Sequence, residues 1–146
     1  MPNIAPIPKG YHTVNPFIIT DDLPALVSFL EKAFDATPYA KTVSPKGAVL
    51  NLELRVGDSI LMLSSARGGF GPFVMSFYLY VEDVDKAYEK ALAAGGQSFF
   101  PPTDQFYGNR DCGIVGPRGN YWFIGSRKEE LTEEEITRRM PSHLED

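Results

Sequence analysis

Cysteine and histidine, which act as nucleophiles, bases and metal ligands, are few in this sequence. Cys112 is the single cysteine, so neither an intramolecular disulfide nor a cysteine zinc cluster can form. A reactive thiolate needs a base or a positive charge beside it, and no histidine lies near Cys112 in the sequence, so we predict a buried apolar thiol. His12 lies in a proline-rich lead-in and His143 near the end of the chain, and we interpret both as solvated histidines.

Glu53 is the carboxylate whose position in a strand pattern could give it a chemical role. Residues 48–55 alternate as a half-buried strand does, with Leu50, Leu52 and Leu54 on one face. The polar face carries Asn51, Glu53 and Arg55. Three accounts of Glu53 stay open: a group that binds a cationic or hydrogen-bond-donating ligand, a general base, and a surface ion pair with Arg55.

The first half of the chain supplies the elements that position Glu53. Residues 14–20 are apolar and β-branched, and Pro16 indicates an edge strand or a bulge. Asp21 or Asp22 then caps a helix, which is predicted from apolar residues at helical spacing: Leu23, Leu26, Val27, Leu30, Ala33 and Phe34. Residues 35–47 are predicted to form turns, and residues 59–64 return as a strand after a Gly-Asp turn.

The second half repeats this order. Residues 74–81 are predicted to form a strand, and Asp83 or Asp85 caps a helix that the Gly95-Gly96 pair ends. Residues 97–100 predict a short strand, and residues 106–110 form an aromatic loop. Two runs, 112–115 and 121–124, flank a glycine- and proline-containing turn and predict a hairpin. Thr132 is predicted to cap a helical tail over residues 131–140.

A constant offset of 61 positions relates the two halves. It matches Asp22 to Asp83 at the helix caps, Leu61 to Trp122 in the last strand and Leu54 to Val115 in the strand before it. We therefore predict an α+β fold of two tandem βαβββ modules, residues 14–65 and 73–126, within a single domain of residues 1–146. Residues 65–72, with three glycines, are the predicted boundary between the modules.

Composition narrows the class of protein. A chain of 146 residues with 43% hydrophobic residues suits one globular domain with its own core. The net charge of -5 and the absence of a Lys/Arg cluster exclude a nucleic-acid partner from the prediction. The first residues lack the basic flank and apolar run of a signal peptide, and no apolar stretch reaches membrane-spanning length. We expect a cytoplasmic protein with no membrane partner.

Two short motifs in the second half give the pattern a family resemblance. Tyr107-Gly-Asn-Arg110, followed by Gly116-Pro117-x-Gly119, closes the duplicated βαβββ unit. Together they resemble the vicinal oxygen chelate superfamily, the group of glyoxalase I, bleomycin-resistance proteins and extradiol dioxygenases, over residues 14–126. Gly116 stands where the family usually has an aspartate. The resemblance implies curved mixed sheets that face each other around a cleft, within one chain or across a dimer.

The same resemblance implies where a metal would bind. The family's metal enzymes take His from the first strand of each module and Glu from the last, and the matching positions here are Asn15, Met62, Ser76 and Phe123. None of these residues is a His, Glu or Asp, and Met and Phe do not bind a divalent cation usefully. We therefore predict neither a metal nor any other cofactor.

Strand alternation from those four positions predicts which side chains share the cleft. It also places Cys112 on the cleft side, and Leu61, Leu63, Phe77, Leu79, Trp122 and Ile124 beneath the helices. The predicted ligand-binding residues, mostly aromatic, are Phe17, Glu53, Met62, Tyr78, Tyr80, Phe106, Tyr107, Arg110, Tyr121 and Phe123.

The predicted function follows from an aromatic cleft without metal ligands. We expect a metal-independent binding protein of the bleomycin-resistance type, which holds a small aromatic or drug-like molecule, as in antibiotic resistance, and forms a homodimer. The alternative is a metal-free lyase or isomerase that uses Glu53 or a tyrosine as acid or base. A third hypothesis is a stress or scaffold protein whose cleft serves only as a dimer interface.

Overall fold

The order of one strand, one helix and three strands occurs twice along the chain. The computed structural model describes residues 3–145. It divides into a first unit that ends at Val74 and a second unit that begins at Met75. The duplicated βαβββ architecture predicted from the sequence is confirmed.

The first unit is a four-stranded mixed sheet with one helix. Strand β1 (Phe17–Thr20) leads into helix α1 (Leu23–Phe34). Strands β2 (Thr37–Val43), β3 (Val49–Val56) and β4 (Ser59–Ser65) follow as an antiparallel series. The spatial order is β1-β4-β3-β2, and β1 pairs parallel to β4. This places β1, which follows Pro16 directly, at an edge of the sheet, where proline is tolerated.

The second unit has the same topology. Strand β5 (Ser76–Tyr80) precedes helix α2 (Val84–Ala93), and β6 (Gln97–Asp104), β7 (Asn109–Val115) and β8 (Tyr121–Arg127) complete a sheet of order β5-β8-β7-β6. A short 3-10 helix, Pro117–Gly119, lies in the turn between β7 and β8. Helix α3 (Glu133–Arg139) and a 3-10 turn (Ser142–Glu145) follow.

Two edge strands differ from the sequence predictions. Residues 35–47 were predicted to be turns, yet Thr37–Val43 form β2 and all seven side chains are exposed. Strand β6 continues through Pro101 and Pro102 to Asp104, beyond the predicted end at residue 100. An edge strand is hydrogen-bonded on one side only, so it can contain prolines and polar residues that hide the usual strand pattern.

Side-chain caps fix the helix starts as predicted. Asp22, and not Asp21, caps α1, because its Oδ1 accepts a hydrogen bond of 3.2 Å from the Ala25 backbone N–H. Asp83 caps α2 in the same way. Thr132 caps α3, which confirms the predicted helical tail. Each cap satisfies a backbone donor that has no partner within its own helix.

Strand register confirms the predicted offset in four strands and corrects it in the third strand of each module. Phe17 pairs with Met62 in the first unit, and the residues 61 positions on, Tyr78 and Phe123, pair in the second. In contrast, Leu54 pairs with Leu61, whereas Trp122 pairs with Ile114 and not with Val115. The chain from Ile114 to its partner Trp122 is therefore one residue longer than the chain from Leu54 to its partner Leu61. This extra residue reverses the faces predicted for β7.

Each unit has its own buried apolar layer between helix and sheet. In the first unit, Leu26, Phe29 and Leu30 of α1 are buried together with Ile18, Leu54, Leu61 and Leu63 of the sheet. In the second unit, Val84 and Ala91 of α2 are buried with Cys112, Ile114, Trp122 and Ile124. The predicted core positions Phe77 and Leu79 are half-buried, and Phe77 stacks on Trp122 at 4.6 Å. Within residues 3–145, no helix is both long and apolar enough to cross a bilayer.

Candidate functional site

The face of the second sheet opposite α2 is lined by aromatic rings. Strand pairing places Tyr78 beside Phe123 and Tyr80 one step along β5, on the side that Trp122 and Ile124 do not face. Tyr121 and Phe123 are nearly parallel, with ring centroids 6.2 Å apart. Phe99 of β6 meets the Tyr121 ring edge-on at 5.2 Å. We define the aromatic face as Tyr78, Tyr80, Phe99, Tyr121 and Phe123.

These rings are accessible to solvent to an unusual degree for large apolar groups. The exposed fraction is 70% for Tyr80, 57% for Phe99 and 42% for Tyr78. Tyr121 and Phe123 are half-buried. Four of the predicted ligand-binding residues are therefore brought together on one surface, and Phe99 is added to them. The sequence signal for Phe99 is the Phe-Phe pair ahead of Pro101, where the pattern predicts a short strand over residues 97–100.

Two glycines let the rings lie close against the sheet. A Cβ atom on Gly125 would lie 2.8 Å from ring carbons of Tyr78, closer than real Cβ atoms approach a neighbour. A Cβ atom on Gly113 would lie 2.8 Å from the ring of Phe100. Glycine in a strand marks a place where another group approaches the backbone. Here that group is an aromatic side chain on each occasion.

A buried carboxylate that the sequence analysis missed anchors one end of the aromatic face. Asp111 of β7 is 1% exposed. Its Oδ2 accepts hydrogen bonds from the hydroxyl of Tyr78, at 2.8 Å, and from the hydroxyl of Tyr107. Its Oδ1 accepts a bond of 2.9 Å from Gln105 Nε2. A buried carboxylate requires such hydrogen-bond donors. The two bonds to the hydroxyls in turn fix Tyr78 and Tyr107 in place.

The same environment changes the acidity of the tyrosines. Burial, together with the Asp111 carboxylate as hydrogen-bond acceptor and nearby charge, raises the pKa of Tyr78 to about 12, although Asn109 donates a bond that acts the other way. Burial and the same carboxylate raise the pKa of Tyr107 further above its ordinary value. Both groups therefore remain neutral phenols at physiological pH, and each donates its one hydroxyl proton to Asp111.

Arg110 lies on the other side of this sheet, although it was predicted to be a ligand-binding residue of the cleft. Its guanidinium donates to both carboxylate oxygens of Asp85, at 2.9 and 2.8 Å, and to Asp104 at 3.1 Å. Asp85 belongs to the first turn of α2, so Arg110 faces the helix side. The pair raises the pKa of Arg110 and lowers that of Asp85. These residues border a polar, open cavity of about 640 Å³ that also includes Lys128 and Glu129.

Phe106 and Tyr107 occupy the turn between β6 and β7. Their rings meet edge-on at 5.1 Å, and both residues are half-buried. Tyr107 reaches the aromatic face through its hydrogen bond to Asp111. Of the predicted loop residues, Tyr107 is thus connected to Tyr78 by a shared acceptor.

In the first unit, the structure brings the remaining predicted residues into one row. Phe17 pairs with Met62 across β1 and β4, and Met62 pairs with Glu53 across β4 and β3. The Phe17 ring lies 6.5 Å from the ring of Phe70, in the segment that follows β4. This row is the counterpart of the Tyr78 and Phe123 pair in the second unit.

Glu53 has a partner that no local pattern indicated. The hydroxyl of Tyr11, which precedes β1, donates a hydrogen bond to Glu53 Oε2. Arg55 lies over the ring of Tyr39, with 5.1 Å between its Cζ atom and the ring centroid. The proposed ion pair between Glu53 and Arg55 is therefore not what forms within residues 3–145.

The four positions that the family resemblance assigns to a metal do not form a donor set. The Asn15 amide exchanges hydrogen bonds with the backbone of His12, at 2.9 and 2.7 Å. Phe123 packs in the aromatic face, and Met62 offers only a thioether. Across the described residues 3–145, no three His, Cys, Asp or Glu side chains are grouped to hold a metal ion. The residues present do not fit the family's metal.

Cys112 faces the core and not the cleft side, which corrects the sequence prediction. It pairs with Ile124, a core residue, because of the longer β7–β8 turn. Burial first, and then the charge of Asp111, raise the pKa of the thiol to about 11. The prediction of an apolar buried thiol is confirmed.

Comparison with known proteins agrees with the duplicated topology and the motifs. The sequence model of the Glyoxalase/Bleomycin resistance protein/Dioxygenase superfamily matches residues 11–124. The chain belongs to this superfamily. Among relatives of this superfamily member is the uncharacterized protein Rv0887c of Mycobacterium tuberculosis, 28% identical over 88% of the chain and 82% of the relative.

Solved structures share the superfamily fold. TioX from Micromonospora sp. ML1 has a TM-score of 0.66 at 19% identity, over 78% of this chain and 98% of TioX. Lactoylglutathione lyase from Agrobacterium tumefaciens has a TM-score of 0.62 at 20% identity, over 80% of this chain and 94% of that one. At 19% and 20% identity, these two structures show that this superfamily member shares their fold.

Proposed function

We propose that this superfamily member is a metal-independent binding protein that takes a flat aromatic molecule on the aromatic face of its second unit. The single observation that carries the proposal is the exposed ring cluster Tyr78, Tyr80, Phe99, Tyr121 and Phe123 on a sheet face away from the helix. Exposed apolar patches of this kind mark binding surfaces more often than they occur without a role.

The geometry favours a planar ligand over a flexible aliphatic one. Tyr121 and Phe123 present nearly parallel rings, with an angle of 14° between their planes. Offset stacking and edge-to-face contacts with such rings stabilise an aromatic guest beyond its buried area. The hydroxyl of Tyr121 adds a polar contact that orients it, whereas the hydroxyl of Tyr78 is already bonded to Asp111 and Asn109. Because Asp111 fixes Tyr78 beforehand, little side-chain ordering remains to oppose binding.

The enzyme alternative, a metal-free lyase or isomerase, gains less support from the same residues. Tyr78 is a poor proton donor near neutral pH, since its pKa is raised to about 12. Glu53, the candidate base, accepts a hydrogen bond from Tyr11 and is covered by it. The aromatic face offers rings for a ligand to stack on but no evident proton-transfer group. We therefore propose a binding protein and not an enzyme.

A thermal-shift screen followed by calorimetry tests the proposal. We expect acridine, flavone or 1-naphthol to raise the unfolding midpoint, and cyclohexanecarboxylic acid to leave it unchanged. Tyr121→Ala should weaken the best hit about tenfold or more, because it removes one stacking wall. Tyr88→Ala is the matched control, because Tyr88 is on α2 and its hydroxyl bonds Ser98.

The control defines the result that contradicts the proposal. If Tyr121→Ala and Tyr88→Ala bind every hit with the affinity of the original chain, the aromatic face is not the binding surface. Turnover of a dicarbonyl or thiol-adduct substrate that Tyr121→Ala abolishes would favour the lyase instead.

The homodimer remains a prediction. In the first unit β2 is an edge strand with exposed side chains, and in the second unit β6 is an edge strand that carries Phe99. Unpaired edges invite association with a second copy. Light scattering on the purified chain at micromolar concentration should give twice the monomer mass of 16.2 kDa, and a monomer mass would refute the dimer.

A further inference from the structure

A segment ahead of β1 lies across the polar face of the first sheet. We call residues 8–15 the N-terminal strap. Tyr11 and Asn15 are its half-buried members, whereas residues 3–10 are exposed. Within the strap, the Tyr11 backbone N–H donates to the Pro8 carbonyl at 3.1 Å, which makes a turn that presents the Tyr11 ring to the sheet.

Tyr11 and the neighbouring Gly10 lie beside residues from three strands of the first sheet. Its hydroxyl donates to Glu53 Oε2 of β3, and its ring lies 5.9 Å from that of Tyr39 of β2. Arg55 lies against the same Tyr39 ring. Beside Tyr11, Gly10 approaches Ile60 of β4 so closely that a Cβ atom would lie 3.1 Å from Ile60 Cδ1.

We propose that Tyr39, Glu53, Arg55 and Ile60 form a binding site for phenols, which the Tyr11 side chain occupies as an internal ligand. The site supplies what a phenol requires: a carboxylate that accepts its hydroxyl proton in a hydrogen bond, an aromatic ring at its edge and an apolar isoleucine nearby. Tyr11 is itself a phenol carried on the chain. A free phenol therefore competes with Tyr11 for the same acceptor.

Few hydrogen bonds hold the strap to the sheet, so this competition can occur. Besides the Tyr11 bond to Glu53, the hydroxyl of Tyr39 donates to the Lys9 carbonyl at 3.4 Å, a long hydrogen bond. The exposed, proline-containing residues before it add little packing. Only molecules with the strap released can bind a phenol. The apparent affinity is therefore the intrinsic affinity multiplied by the fraction of molecules in which the strap is released.

This inference concerns the first unit alone and does not depend on the proposed function of the aromatic face. The residues of the two sites lie in separate units, Tyr11 to Ile60 in one and Tyr78 to Phe123 in the other. A measurement that follows individual backbone amides distinguishes them. Shifts at Tyr39 and Glu53 report the phenol site, and shifts at Tyr121 and Phe123 report the aromatic face.

The test is an amide NMR titration of the full chain with 4-methylphenol, the side chain of tyrosine as a free molecule. We expect Tyr11→Ala to bind it at least tenfold more tightly than the original chain, with shifts at Tyr39 and Glu53. The matched ligand 4-methylanisole lacks the hydroxyl proton and should bind about tenfold more weakly. Adding Glu53→Gln to Tyr11→Ala should weaken 4-methylphenol by a similar factor.

A second variant protects the test if Tyr11→Ala fails to fold. Tyr11→Phe keeps the ring and removes only the bond to Glu53, and it too should bind 4-methylphenol more tightly than the original chain. Equal affinity in Tyr11→Phe and the original chain, equal binding of both ligands, or shifts confined to the second unit would each overturn the proposal.

Discussion

Replacing Asp111 with asparagine should destabilise the protein and weaken the hydrogen bonds that hold Tyr78 and Tyr107. Asp111 Oδ2 accepts from the hydroxyls of Tyr78 and Tyr107, and Oδ1 accepts from Gln105. Asparagine has nearly the same shape, so its amide oxygen can still accept from both tyrosines. Its amide nitrogen then meets the Gln105 amide, which must turn over to accept.

The magnitude follows from the change in charge at the acceptor. A hydrogen bond to a charged group contributes about 1.5–3 kcal/mol and a neutral one about 1 kcal/mol, so each tyrosine bond weakens by about 1 kcal/mol. Relief from burying a carboxylate offsets part of this loss. We therefore expect the free energy of unfolding to fall by about 1–2 kcal/mol.

Urea unfolding at pH 7 measures this change, with Asp104→Asn as the matched control. Asp104 also bonds a partner, Arg110, but its side chain is 81% exposed, so its loss should change stability by less than about 0.5 kcal/mol. Alkaline titration of tyrosinate absorbance gives a second readout. In Asp111→Asn the pKa values of Tyr78 and Tyr107 should move down toward that of ordinary tyrosine, because the carboxylate no longer opposes ionisation. Equal stability of the two variants, with unchanged tyrosine titration, would refute the anchoring role of Asp111.

Further predictions concern other parts of the fold. Gly125→Ala should displace the Tyr78 ring and cost about 1–3 kcal/mol in urea unfolding, and unchanged stability would contradict the close contact. The raised pKa of Tyr78, about 12 against 10.0 unfolded, gives stability that is fully present below pH 10 and lost between pH 10 and 12. Tyr78→Phe removes this titrating phenol, so urea unfolding should show a smaller loss of stability between pH 10 and 12 than in the original chain. Cys112, with a buried thiol, should react with a disulfide reagent only after unfolding; rapid native-state labelling would show exposure. Asp22→Ala should lower stability by about 1 kcal/mol through the lost cap of α1, which thermal unfolding can measure.

Local features of the fold were predictable because they depend on neighbours in sequence. A helix cap bonds a backbone N–H three residues on, as Asp22, Asp83 and Thr132 do. Side-chain faces in β1, β4, β5 and β8 follow from the alternation of a strand, so the shared face of Tyr78, Tyr80, Tyr121 and Phe123 was predicted correctly. For the same reason most of the aromatic face could be predicted from the sequence.

Edge strands and the register of β7 were harder to predict from the sequence. An edge strand takes its stability from one neighbour, so its own residues carry little apolar signal, as in the fully exposed β2. A single extra residue between the paired positions of β7 and β8 puts Cys112 on the core face and Asp111 on the face that carries Tyr78. No property of either side chain in isolation indicates that length.

The contacts that define both candidate sites join residues far apart in the chain. Tyr11 and Glu53 are separated by 42 positions, and Tyr78 and Asp111 by 33. The sequence determined that this chain has two copies of one βαβββ unit, an aromatic strand face and no metal ligands at the family's positions. Only the tertiary structure decided that Tyr11 covers Glu53 and that a buried aspartate fixes the tyrosines. Such pairings depend on where the folded backbone brings two strands together, which no local pattern specifies.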